Sequence, residues 1–483
     1  MIYLQLLLLP LSMAAGCFLL RKRTTVVTLA GVATLIAQVL LVLQIPLDNP
    51  VRLLGVSLTL NDLTRLFLVT FLILGAIAFV AARDLPHGEN FVPVALVMLT
   101  LSGSILLLQD LFIVALLLVA ASFAAVLAIV DLPPNTGGLI ATRTIASALK
   151  YLVLMVIAAV LIYLGLVFLD IYRPGELPGR IPLARFVLAL LSGGFALRLG
   201  LLPFHAWLLD ITEDAEPMAT ALIVAVLNTT ALLVLVLIFQ SFPVLLIENP
   251  NGLVLMRLGA LVTSLFAGLL ALGQTAMRRM VAYLLIFNCG IVFYGLVSLS
   301  PNGLAGAVFG ALNQAIAALL IFMSVGLLEQ PDGRPGTTPR RDLLRRWPVA
   351  GAGFIGGCMA LLGLPPFSGF TGMLLVFQAA TTHGWIEVVP IVFSILFATL
   401  AFARILWERL LGPSEDLPMA VPILLGETEL DRPAERRLTR EPPVSAVMTV
   451  LLLVVTLGIG LQPQPVLALI DGAIRGLAFI KAL

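Results

Sequence analysis

Arg198, Pro203 and His205 stand within eight residues of one another in an otherwise apolar stretch. A guanidinium keeps its proton at biological pH, so Arg198 can hold charge and donate hydrogen bonds but cannot relay a proton. His205 carries the side chain that titrates nearest neutrality. Pro203 removes a backbone donor and breaks the helical ladder beside them. Arg198 therefore has two readings. It snorkels to an interface as an anchor, or it is an electrostatic centre at mid-depth, bonded to carbonyls freed by the break. Its place beside the break favours the second. His205 reads first as a structural cap at the mouth of the segment and second as a group that takes up protons. Asn228, Thr229, Thr230, Asn288, Asn313 and Gln314 are neutral polar residues in apolar runs. They read as hydrogen-bond glue between helices, with a water-lined remnant of a channel as the alternative. Cys17, Cys289 and Cys358 lie far apart without metal-ligand spacing. There is no Walker loop, no dinucleotide fingerprint and no cysteine cluster. The chain shows no redox or nucleotide chemistry of its own.

The elements that position these residues follow from composition. Of 483 residues only 11% are charged and 60% are hydrophobic, with a mean hydropathy of +1.12. Such a chain cannot cover a globule with polar surface, which excludes a soluble enzyme and a disordered chain. A net charge of +2 without a basic stripe argues against nucleic-acid binding. The apolar runs are about twenty residues long, twice the length of barrel strands. The expected fold is therefore all-α and polytopic. Fourteen runs fit a crossing: 2–20, 25–45, 62–82, 91–108, 110–130, 147–170, 183–209, 217–240, 253–274, 280–298, 303–328, 347–381, 386–412 and 443–462. The run 347–381 contains Pro365-Pro366 and reads as one broken helix or as two re-entrant halves. The weaker segment 464–482, with Asp471, Arg475 and Lys481, is expected along the interface.

Charge sets the orientation. The first run lacks a basic start, and Arg21-Lys22-Arg23 follows it, so it reads as a retained helix with the N-terminus outside. With fourteen crossings, 19 Lys and Arg fall on the inner side, 8 on the outer, and Arg198 lies between. The polar loops 329–346 and 413–442 are then cytoplasmic, and both termini are outside. Lys150 reads as an interfacial anchor, and Arg278 and Arg279 fit the same bias.

An internal repeat is visible. Leu199-Gly200-Leu201-Leu202-Pro203-Phe204 agrees at five of six positions with Leu362-Gly363-Leu364-Pro365-Pro366-Phe367. Paired broken helices are a sequence sign of repeat-built transporters. The two segments are the seventh and twelfth in order, and an odd offset of five predicts inverted repeats. The organisation expected is 1–90 as three leading helices, 91–240 and 253–412 as two five-helix repeats, 413–442 as a cytoplasmic loop and 443–483 as a last helix with an interfacial segment.

Four segments carry a family resemblance. Gly194 to Leu208 (GFALRLGLLPFHAWL) resembles the seventh-helix signature of the antiporter-like subunits of respiratory complex I. Gln274 to Gly290 (QTAMRRMVAYLLIFNCG), Gly363 to Met373 (GLPPFSGFTGM) and Ala148 to Tyr151 (ALKY) are similar to other segments of those subunits. Length and the Leu-Lys-Tyr segment favour the N-type subunit. Mrp-type antiporters and membrane-bound hydrogenases share these motifs.

The resemblance implies a midplane proton path through a glutamate on the fifth helix and lysines or related groups on the seventh, eighth and twelfth. This chain departs at each: Val119, Arg198, Asn228 (or Thr229) and Met373 stand there. Asn288 replaces the usual histidine of the tenth helix, and Gln314 and Ala318 stand at two further positions on the eleventh. Arg198, His205, Asn228, Asn288 and Gln314 remain the candidates for a path. The resemblance implies an N-type subunit of an NADH- or ferredoxin-linked quinone oxidoreductase, possessing no catalytic, cofactor or metal site of its own. FMN, iron–sulfur clusters and quinone are expected in partner subunits of the same membrane assembly. The proton-transfer groups are replaced, so the subunit is expected not to move protons by that lysine relay; it is either a modified proton-translocating module or a scaffold that has lost translocation. The alternatives are a subunit of an Mrp-type cation/proton antiporter or of a membrane-bound hydrogenase.

Overall fold

The computed structural model describes residues 2–53, 55–134, 136–171, 181–247, 249–329, 343–412 and 441–475. Most of the loops expected at 413–442 and 329–346 lies outside the described residues. Each apolar run forms helix, because backbone polar groups withdrawn from water must be satisfied within the segment. In order these are α1 (Ile2–Leu19), α2 (Thr24–Gln44), α3 (Asp62–Ala81), α4 (Phe91–Leu107), α5 (Leu111–Val130), α6 (Gly138–Ile171), α7 (Ile181–Leu199), α8 (Ala206–Asp214), α9 (Pro217–Leu222), α10 (Thr229–Ser241), α11 (Pro243–Ile247), α12 (Pro250–Leu272), α13 (Met277–Val297), α14 (Pro301–Glu329), α15 (Leu343–Arg346), α16 (Pro348–Leu362), α17 (Gly369–His383), α18 (Trp385–Ile405), α19 (Pro443–Leu461) and α20 (Gln464–Arg475). A π-helical turn, Ile223–Asn228, joins α9 to α10, and another, Leu406–Leu411, ends α18.

Among the described residues, eleven helices are long and apolar enough to cross a membrane. The other three of the fourteen expected runs are the shorter α4 and the two broken pairs, α7–α8 and α16–α17. The apolar windows of α13 and α14 are wholly buried, and Pro217–Ser241 nearly so. These form the centre. Around them α1, α2, α6, α12, α18 and α19 turn Leu8, Leu29, Val153, Val262, Val392 and Val454 outward. So wide an apolar rim belongs in lipid, and the chain is an integral membrane protein. Trp385 and Trp407 are exposed at the two ends of the α18 segment. Twenty-two helical residues span about 33 Å, close to the hydrocarbon thickness at whose borders tryptophan concentrates.

The fold is all-α as expected, with one small element outside the helices. Val51–Leu53 (β1) and Val56–Leu58 (β2) pair antiparallel between α2 and α3. Gly55, at φ +86°, makes the turn. The hairpin is tied to the end of α4 by bonds from Thr59 N to Leu107 O and from Gln109 N to Ser57 O. Three-residue strands are too short to raise a periodic signal. Helix α6 also begins nine residues before the expected position 147. Its added turns carry Arg143 and Thr144 to Asp214 of α8, which Ser147 also binds. At the other end, α20 buries Ile470, Ala473 and Ile474 and packs on α3 and α14.

Candidate functional site

The two breaks are built alike. Helix α7 ends with Gly200 at φ +69°, and α16 with Gly363 at φ +70°. At the first, Gly200 N bonds Leu197 O at 3.3 Å and Leu201 N bonds Ala196 O at 2.9 Å. At the second, Gly363 N bonds Ala360 O at 3.3 Å and Leu364 N bonds Met359 O at 3.0 Å. This is a Schellman closure in both places, and glycine supplies the left-handed residue it needs. The peptides Leu202-Pro203 and Pro365-Pro366 are both cis. The corresponding carbonyls Leu197 O and Ala360 O each accept a side-chain donor, Trp207 Nε1 at 3.0 Å and Asn313 Nδ2 at 2.9 Å.

Arg198 sits in the last turn of α7, where the helix dipole favours a cation. It is 2% exposed. Its guanidinium Nη1 donates to Ser122 Oγ at 2.9 Å and approaches Met155 Sδ at 3.7 Å. Nε has no partner among the described residues. The expectation that Arg198 bonds carbonyls freed by the break is therefore corrected. Gly200, Leu201 and Trp207 occupy the carbonyls of Leu197 and Ala196, and Cys289 Sγ lies 3.5 Å from Leu199 O. The arginine turns instead toward α5 and α6. Among the described residues no carboxylate is paired with it. Val119, one turn before Ser122 on α5, is half-buried and offers no polar atom.

From the first break a line of neutral polar contacts crosses to the second. Cys289 meets Leu199 O, and its neighbour Asn288 donates Nδ2 to Gln314 Oε1 at 2.8 Å. Asn313, beside Gln314, binds Ala360 O and accepts Ser368 Oγ at 2.6 Å. These amides hold α13, α14 and α16–α17 together at the depth of the breaks. Met373 packs on the second break, where a Cβ on Gly363 would lie 2.8 Å from its own Cβ. Asn228 is buried at the end of the π turn with Thr229 and Thr230, and Thr230 Oγ1 bonds back to Val226 O at 2.7 Å. Asn228 is not joined to the Asn288–Gln314 pair by any hydrogen bond among the described residues. His205 takes the N-cap position of α8 without a side-chain capping bond, its ring 6.0 Å from that of Tyr283. The structure thus joins Asn288 with Gln314, and keeps Arg198, His205 and Asn228 in separate contacts.

Two charged clusters were not legible in the sequence. Among the described residues, Arg198 and Glu387 are the only charged side chains classed as buried. Glu387, in the first turn of α18, accepts Tyr294 Oη at 2.5 Å and Arg257 Nε at 3.3 Å. A charge near a helix end reads as a loop charge, and a pairing across 130 residues leaves no local sign. The second cluster gathers where α6, α8, α13 and α14 end. Arg279 Nε meets Glu213 Oε2 at 2.6 Å, Arg278 Nη2 meets Glu329 Oε2 at 2.6 Å, Arg143 meets Asp214 at 3.2 Å, and Lys150 meets Asp210 at 3.2 Å. Lys150 is exposed there, as an anchor would be. Among the described residues no three His, Cys, Asp or Glu side chains are placed to hold a metal. The three cysteines are free and buried apart.

Comparison with known proteins places this geometry. The profile described as NADH:quinone oxidoreductase/Mrp antiporter, TM, matches residues 138–398. The chain is 28% identical over 299 residues to F(420)H(2) dehydrogenase subunit N of Methanosarcina mazei, covering 56% of this chain and 59% of the relative. It is 27% identical over 253 residues to NADH-quinone oxidoreductase subunit N of Desulfitobacterium hafniense, covering 47% and 50%. The chain thus spans between half and three-fifths of the length of these curated relatives. Its fold matches a chain of the Mrp complex from Dietzia sp. at TM-score 0.79, with 19% identity over 99% of this chain and 98% of that one. A chain of respiratory complex I from Thermus thermophilus matches at TM-score 0.77, with 20% identity over 100% and 99%.

Proposed function

Because this chain belongs to the NADH:quinone oxidoreductase/Mrp antiporter transmembrane family, we propose that it is an antiporter-like, N-type membrane subunit of a complex I-like oxidoreductase, and that it does not pump by the family's lysine relay. The likeness to N-type subunits in sequence supports the first part. One observation carries the second: the buried cation of the seventh helix is an arginine held by Ser122 and Met155, with no carboxylate paired to it among the described residues. A relay needs neighbouring groups that exchange protons near neutrality. Amides and an arginine do not.

On this reading the parent complex couples electron transfer to quinone with proton translocation. FMN, iron–sulfur clusters and quinone reside in other subunits, and this chain serves as a scaffold of the proton-translocating arm. We place it in a prokaryotic cytoplasmic membrane, both termini outside and the Arg278–Glu329 cluster facing the cytoplasm, on the strength of the 19-to-8 distribution of basic residues. The matched breaks support two inverted repeats. The whole-chain likeness to the Mrp complex favours a second reading, a subunit of a cation/proton antiporter. Affinity purification of the tagged chain from mildly solubilised membranes separates them. Co-purifying iron–sulfur and quinone-site proteins support the oxidoreductase, and a set of small antiporter subunits without redox centres overturns it.

A further inference from the structure

Glu216 stands between α8 and α9, immediately before the buried segment Pro217–Ser241. The groups around it are charged. Glu213 and Asp214 come from α8, Arg278 from α13 and Glu329 from the end of α14. The ends of α3, α4 and α5 that also pack on α9 carry Arg83, Asp84, His87, Glu89 and Asp131. Of these Asp84 binds Ser445, Glu89 faces Arg21 and Asp131 binds Asn90.

Arg278 is held beside Glu216 through the carbonyl of the preceding Ala215, and each of its three nitrogens is already engaged. Nε and Nη2 bind Glu329 Oε2, and Nη1 binds the carbonyls of Glu213 and Ala215 at 3.2 and 2.8 Å. Arg279 and Arg143 are likewise occupied by Glu213 and Asp214. The Glu216 carboxylate feels Arg278 through space but takes no hydrogen bond from it. Nor does it cap α9, despite holding the N-cap position. One arginine thus faces two carboxylates, Glu329 and Glu216, and is bonded only to the first. With both ionised the trio carries a net negative charge in a half-buried place, and one added proton neutralises it.

We propose that Glu216 is a proton-binding site: its carboxylate takes up one proton from the aqueous phase beside the α13–α14 cluster, while Arg278 stays bonded to Glu329. Burial and the Glu329 charge push the Glu216 carboxyl up to about 7, outweighing the pull of Arg278. The bound proton has no onward path along its own helix. From Met218 to Leu227 every residue is buried, and Thr220 is bonded to the α8 and α9 backbone. Asn228 lies twelve residues on, about 18 Å away along the axis. The site is a terminal reservoir at the surface. It does not depend on which complex the chain joins.

The test is a pH titration of the purified full-length chain by infrared difference spectroscopy of the protonated carboxyl band. The wild type is expected to show one band titrating near pH 7, and Glu216→Gln to lose that band with the helical content unchanged. Glu329→Gln removes the repelling charge and frees Arg278, so the midpoint should fall by roughly one pH unit. A neutral-range band that persists in Glu216→Gln overturns the proposal. Should Glu216→Gln fail to accumulate, Glu329→Gln decides alone: an unmoved or raised midpoint overturns it. Neither result bears on proton stoichiometry in the assembled complex, so this site and the non-pumping reading stand or fall separately.

Discussion

The guanidinium of Arg198 lies 2.9 Å from the hydroxyl of Ser122 and, among the described residues, pairs with no carboxylate. A buried cation held only by neutral groups is stabilised by hydrogen bonding and by the C-terminal end of its own helix. Ser122→Ala removes its one described oxygen partner while leaving the shape of α5 intact. The expected cost is about 1–3 kcal/mol, read as a lowered unfolding temperature in detergent. An unchanged temperature would mean that something other than Ser122 satisfies Arg198.

The two breaks share a backbone path but differ in what surrounds the left-handed glycine. At Gly200 an added Cβ would meet only the Trp207 ring at 3.4 Å, whereas at Gly363 it would fall 2.8 Å from Met373 Cβ. Gly200→Ala should therefore cost the conformational penalty alone, about 1–2 kcal/mol. Gly363→Ala should cost more, because backbone and neighbour must both move. Thermal unfolding of the two variants side by side gives the order. Equal losses would contradict the packing argument.

Glu387 is expected to behave as half of a pair. Arg257→Met leaves its buried carboxylate without a cation and should cost about 3–5 kcal/mol. The double substitution Arg257→Met with Glu387→Met should recover most of that loss, because both charges leave together. A double variant no more stable than the single would show that the cluster contributes nothing through its charges.

Stability should also respond to pH through Glu216. Its carboxyl is raised from 4.5 to about 7 in the folded chain. The unfolded chain then loses this proton first as pH rises. The contribution to stability is full below about 4.5, declines between 4.5 and about 7, and is absent above. Glu216→Gln should flatten that part of the stability profile. A profile identical in the two proteins would place the Glu216 carboxyl in the ordinary range.

Much of the architecture was legible because membrane helices announce themselves by apolar length alone, and all fourteen runs are helical. The breaks were legible because Leu-Gly-Leu-x-Pro-Phe carries both the C-terminal glycine and the proline that forbids continuation. The hairpin at 51–58 was not, since three-residue strands have no period to detect. Ser122 and Met155 were hidden for another reason. A serine on an apolar helix bonds back to its own turn, as Ser122 does to Leu118 O. Only the fold shows that Arg198 points at it. Glu387 and Arg257 lie on different helices 130 residues apart, and that distance in sequence conceals their pairing.

On the proposed reading, no relay of titrating side chains runs through the described residues of this subunit. Proton translocation per electron pair, measured in the fully assembled complex carrying Arg198→Met, tests it most directly. Lower yield or stability of the assembly is expected, with an unchanged stoichiometry in what assembles, and Arg198→Lys should likewise add no proton, since Val119, Asn228 and Met373 offer it no titrating neighbour. A fall in stoichiometry in intact Arg198→Met complex would overturn the non-relay reading and assign proton movement to ordered water held by Asn228, Asn288 and Gln314.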